Sequence, residues 1–243
     1  MRRFFVWQID SEDKSMEQKI ITTRPTDFLR ELADFRSGRL EVISSDSNPI
    51  PLQEGAKVVL QLVPKAALDG SASVDVSSSE RPLLPLFSGG SNWRFNFDGR
   101  LTYSNGKPGV RSYVQLFHTG VVEAVAVFTE RNDSKMIPST ALESTLIDAT
   151  ASYLKEQARL GVEPPVAMLL TLVGVKGYEL AVGLDLDSYP FDRDTLLIPE
   201  VLLDSFECQL GRGMKRLFDR IWNAAGLPKC FHYDQEGNWT DSR

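Results

Sequence analysis

Alternation of apolar and polar positions dominates the middle of the chain. In KVVLQLVP, Val58, Leu60 and Leu62 share one face of a strand and Val59 and Val63 the other, with Pro64 ending it. From Trp93 the same period of two repeats in RFNFDGRLTYS, where Asp98-Gly99 separates two alternating runs and marks a hairpin. SNGKPG makes the next turn. SYVQLF and VVEAVAVF are then joined through His118, Thr119 and Gly120, a glycine suited to the positive φ of such a turn. Four consecutive strands predict an antiparallel meander.

Two segments carry the helical period instead. Leu142, Leu146, Ala149 and Tyr153 form a stripe that Ile147 and Leu154 widen; Thr140 and Glu143 have capping-box spacing and Gly161 closes the helix. In GMKRLFDRIWNAAG, Met214, Leu217, Phe218, Ile221, Trp222 and Ala225 face one way and the charged residues the other. Between them, the apolar run in PPVAMLLTLVGVKGYELAVGL is bounded by Pro165, Gly174 and Gly177. It reads as two strands, the first buried on both faces.

The first 55 residues read differently. TDFLRELADF places Phe28, Leu29, Leu32 and Phe35 on a short helical stripe that ends near Gly38. SSDSNPIPLQEG follows as a polar connector. The expected organisation is an N-terminal helical arm and linker over 1–55, then an α+β domain over 56–243 whose mainly antiparallel sheet carries two amphipathic helices. Residues 65–93, rich in Ser, Gly and Pro, read as a long loop.

A net charge of −6 argues against a chain-wide nucleic-acid footprint, and two cysteines make neither a disulfide framework nor a metal quartet. No segment has the uncharged length of a membrane span, and a cytoplasmic protein is expected. Phosphate-cradling loops and serine-nucleophile elbows are missing from the sequence. The acidic stretch with Asp185, Asp187, Asp192 and Asp194 lacks the glycine and glutamate of a calcium loop. Cys230 and His232 supply two zinc ligands where four, or three with water, are required, and a tail packed on the sheet is the expected role. No cofactor and no metal are expected. One basic cluster stands out: Arg212, Lys215, Arg216 and Arg220 on the polar side of the last helix could hold an acidic partner or a nucleic-acid backbone.

WRFNFDGRLTYS, SYVQLFHTGVVEAV, IPSTALESTLIDA, LGVEPPVAMLLTLVGVKGYELAV, DRDTLLIPEVLL and RLFDRIWNAAGLP, in this order, resemble the C-terminal region of certain bacterial proteins. Their N-terminal half is a Schlafen-AlbA-type DNA-binding domain, and they are often described as helix-turn-helix or ATP-binding. The resemblance runs from about Lys57 to Asn238; residues 1–56 do not carry the N-terminal domain, so its nucleotide and DNA activities do not transfer. The expected function is a non-catalytic regulatory or interaction module with a protein partner, nucleic acid being reached through that partner; the setting in regulation or defence is what the resemblance implies. The competing expectation is an enzyme acting on nucleic acid or nucleotide, its site between the loops at 70–92 and 185–194 and built from Asp98, His118, Asp185 and Asp187. Convergence of these residues would favour the enzyme and dispersal the module.

Overall fold

The computed structural model describes residues 7–9, 27–45, 47–130, 134–183 and 186–240. In chain order these form β1 (Trp7–Ile9), α1 (Asp27–Ser44), β2 (Ala56–Pro64), the single turn α2 (Lys65–Leu68), β3 (Ser91–Asn96), β4 (Gly99–Ser104), β5 (Ser112–Phe117) and β6 (Val122–Phe128). They continue with β7 (Met136–Pro138), α3 (Ser139–Arg159), β8 (Val166–Val173), β9 (Glu179–Ala181), β10 (Thr195–Leu197), β11 (Val201–Leu203) and α4 (Leu210–Ala224). The fold is α+β.

Among the described residues, one nine-stranded sheet has the order β1-β11-β8-β2-β6-β5-β4-β3, with β10 also paired to β8. Every neighbouring pair in it is antiparallel except β1 with β11. The expected meander is present as β3 to β6. Asn96 pairs with Gly99, so the turn proper is Phe97-Asp98. Gly99 has φ +147°, and a Cβ there would stand 2.1 Å from the Leu116 carbonyl oxygen, which only glycine tolerates. β2 and β8 lie side by side at the sheet's centre, and β8 is buried along its whole length.

Helices cover both faces. Val58, Leu60, Leu62, Ala124 and Leu170 pack with Leu146, Tyr153, Phe218 and Trp222 of α3 and α4. On the opposite face Val59, Tyr113 and Val125 meet Ile43, and Val63 and Leu169 meet Leu32, both from α1. Three long helices therefore replace the two expected, and α1 belongs to the same packed body rather than to a separate arm. It also runs through Gly38, where no neighbour lies within 4 Å of a would-be Cβ. The stripe seemed to stop at Phe35 because its next inward residues are Arg36 and Arg39. Arg36 is buried and donates to Thr171 Oγ1, the Ile198 carbonyl and the Leu170 carbonyl. Burial pushes its pKa down to about 10, so it remains a cation at neutral pH. The loop at 65–93 holds α2 and a 3-10 turn at Val76–Ser78, and β3 begins within it. No helix of the described residues is long and apolar enough to cross a membrane.

Candidate functional site

The residues of the expected enzyme site do not assemble. Asp98 and His118 are neighbours through the backbone, His118 N–H donating to the Asp98 carbonyl at 3.0 Å, and both are exposed. They sit by the C-terminal end of β2, since Leu62 pairs with Val122. Asp187 is exposed in the loop beyond the other end of the sheet, where β8 finishes opposite Lys57 and Phe191 N–H bonds the Tyr178 carbonyl. Asp185 lies outside the described residues. A site drawing on both loops through Asp98, His118 and Asp187 would have to span the length of the strands.

The basic helix face is largely committed within the fold. Arg212 donates to Asn238 Oδ1 at 3.0 Å, and Lys215 pairs with Asp219 at 2.8 Å and lies over the Tyr233 ring. Arg216 is half-buried, and burial lowers its pKa. Arg220 is exposed.

The concentrated polar chemistry sits at Glu143, 2 % exposed, which does not cap α3: the N-cap residue is Pro138 and makes no side-chain cap bond. Glu143 turns inward and accepts from Trp222 Nε1, Trp239 Nε1 and His232 Nδ1, each at 2.8 Å, and from Cys230 Sγ at 3.4 Å. His232 Nε2 stands 3.4 Å from Thr140 Oγ1. The C-terminal tail is thereby fastened onto α3 and α4, with His232 edge-on to Trp222.

Could this cluster act on a substrate? Burial first, and then the Glu143 charge, drive the Cys230 pKa well up, so sulfur stays a thiol and not the nucleophilic thiolate. The imidazole Nδ1 faces the Glu143 carboxylate at 2.8 Å, where its N–H donates to oxygen, rather than the sulfur. Glu143, Cys230 and His232 do bring three potential ligand atoms within 4.8 Å of one another. Ligand atoms about a tetrahedral zinc, however, stand about 3.4 Å apart, whereas Nδ1 and Oε2 are at hydrogen-bond distance. Two indole N–H groups also point at the oxygens a cation would need. As it stands the cluster is closed on itself by hydrogen bonds that tie the tail to α3 and α4. A sequence signal did exist, since Glu143 falls between Leu142 and Leu146 on the buried side of the helix.

A second buried carboxylate holds the other face. Glu123, fully buried, receives both Nε and Nη2 of Arg39 at 2.8 and 2.7 Å, Gln61 Nε2 at 2.9 Å and Tyr113 Oη at 3.0 Å. The Glu123 contact raises the Arg39 pKa. This network joins α1 to β2, β5 and β6.

Among the described residues, the edge strand β3 stands open to a partner. Trp93 and Phe95, one face of the strand, are 49 and 50 % exposed, and Phe97 in the adjoining turn is 97 % exposed. Trp93 and Phe95 meet edge to face at 5.7 Å between centroids. Arg100 of β4 is buried beneath them, 4.4 Å from the Trp93 ring, and donates to the Ser79 carbonyl. Burial lowers its pKa. The cation props the rings outward from below. Behind the same edge, a groove of about 630 Å³ is lined by Ile50, Pro51, Asn92, Tyr103, Lys107 and Val110. Period-two alternation announced a strand here, but only the assembled sheet reveals that it is the last one.

No protein-family model, curated protein or solved structure matches the chain.

Proposed function

We propose that this chain is a non-catalytic interaction module that acts in the cytoplasm and engages a protein partner through the β3 edge. The observation carrying this reading is the half-exposed pair Trp93 and Phe95 with Phe97 beyond them, on a strand with one side unpaired among the described residues. Contiguous exposed aromatic surface is costly in water and marks contact sites, because covering it releases the hydrophobic penalty. The buried carboxylate clusters support the non-catalytic part, since each is satisfied from within. Association of the partner with nucleic acid, in regulation or defence, rests on the sequence resemblance alone.

A parallel interaction screen tests the reading, using the wild-type chain and a Trp93→Ser/Phe97→Asp double variant as bait. Partners, nucleic-acid-associated proteins among them, should be retained by the wild type and lost by the variant at an unchanged melting temperature. Identical partner sets for the two baits would overturn it.

A further inference from the structure

We propose that Glu143, Cys230 and His232 form a zinc site, which takes two ligands from the C-terminal tail and one from α3. Each residue offers one ligand atom, the three atoms lie within 4.8 Å of one another, and all three residues are buried. Cys230 and His232 alone fall one short of the three protein ligands that, with a water, complete a zinc sphere. Glu143 supplies the third. A thiolate, an imidazole and a carboxylate together suit a borderline-soft divalent ion, whereas magnesium and calcium take oxygen ligands.

The electrostatics of the cluster point the same way independently. Glu143 is a buried carboxylate whose ion-pair partner among the described residues is His232, a cation only when protonated. Its counterpart on the other face, Glu123, has the permanent charge of Arg39. Buried charges are paired or coordinate metals, because an uncompensated one is costly away from water. Zinc held by one carboxylate, one thiolate and a neutral imidazole brings the sum of charges to zero.

The hydrogen-bonded arrangement is the protonated form of this site, and little movement separates the two. The 3.4 Å between Cys230 Sγ and Glu143 Oε2 already matches the spacing about tetrahedral zinc. The 2.8 Å between His232 Nδ1 and Oε2 is held short by the shared proton, and that edge opens by about 0.6 Å in the metal form. The exchange balances. Zinc takes the place of the Sγ proton, which leaves to solvent, and the imidazole keeps one proton on Nε2, where Thr140 Oγ1 stands 3.4 Å away to accept it. A ligating histidine held through its other ring N–H has its tautomer and orientation fixed. The indoles stay in place: Trp222 Nε1 donates to Oε1 and Trp239 Nε1 to Oε2. A carboxylate oxygen that accepts one N–H keeps a second lone pair for the cation.

The test is titration of the metal-stripped full chain with zinc, and in parallel with cobalt(II), whose absorption reports its ligands. One zinc per chain should remain after gel filtration, and cobalt should give the near-ultraviolet charge-transfer band of a thiolate ligand. Cys230→Ser and His232→Gln should lose the retained zinc, while Cys208→Ser should bind as wild type does. Thr140→Val, which removes only the acceptor for Nε2–H, should weaken binding about 10–100-fold. The cobalt spectrum is read on the wild-type chain and so needs no variant to fold. A native wild-type chain that binds no zinc, or binds cobalt without the thiolate band, would overturn the proposal. So would zinc retained by Cys230→Ser, or lost equally by Cys208→Ser.

Discussion

Glu143→Ala is the sharpest perturbation of the fold. It removes the acceptor for two indole N–H groups, an imidazole N–H and a thiol, all grouped around one buried carboxylate. Each buried donor left without an acceptor costs about 1–3 kcal/mol, but the donors share one carboxylate and their costs overlap. Leaving several of them unsatisfied at once is expected to cost about 3–5 kcal/mol in all. It would remove a large part of a total stability that is typically about 5–15 kcal/mol. For a chain of this length the melting midpoint should fall by about 6–20 °C. Glu143→Gln is the discriminating companion. It keeps shape and one acceptor oxygen but turns an amide N–H₂ toward the remaining donors, so about 1–3 kcal/mol should be lost. Urea unfolding followed by tryptophan fluorescence suits both variants, because Trp222 and Trp239 are two of the four tryptophans. An Ala variant that unfolds with the wild type would refute the view that Glu143 pins the tail. So would a Gln variant as damaged as the Ala variant, since shape and one acceptor would then count for nothing.

On the other face, Arg39→Ala leaves Glu123 buried without its cation and should cost about 3–5 kcal/mol by urea titration. Arg30→Ala, which breaks only the exposed pair with Asp27, should cost under about 1 kcal/mol; equal effects would refute the docking of α1 through Arg39. The two thiols should be sluggish toward a disulfide reagent in the native state. Burial raises both their pKa values above the usual 9.0, Glu143 adding to the rise at Cys230. Because the raised group is neutral when protonated, its contribution to stability is full below pH 9 and erodes as pH climbs beyond it. Thiol release in mild alkali should therefore track loss of the fold at Cys230, and a Cys230 as reactive as a free thiol at neutral pH would contradict the closed cluster.

Local pattern carried the meander and both helices on the α3–α4 face, because alternation, turn glycines and apolar stripes act over a few residues. It failed wherever a charged residue points inward. Arg36 and Arg39 cut the apparent stripe of α1 short, and so the helix read as an arm. Glu143 stands at capping-box spacing from Thr140, a local rule that lost to the two indoles and the imidazole arriving from far along the chain. The exposure of Trp93 and Phe95 was hidden for another reason: whether a strand is central or terminal depends on where all the others pair, and β2, β8, β11 and β1 all extend the sheet beyond β6 on the side away from β3.

The two buried glutamates divide the labour of the sheet in a way that bears on function. A buried ion pair seldom stabilises more than well-packed apolar residues would, yet it penalises every arrangement that leaves it unpaired. Glu123 accepts from β2, β5 and α1, so α1 can slide along the sheet only by stranding a charge. Glu143 ties down the tail that follows α4 through hydrogen bonds from Trp222, Trp239 and His232. Both are satisfied by hydrogen bonds from the chain itself. An aromatic edge propped by a buried arginine is the opposite arrangement. Among the described residues nothing completes its hydrogen-bonding backbone and apolar rings, and the energetic incentive to complete them falls on β3.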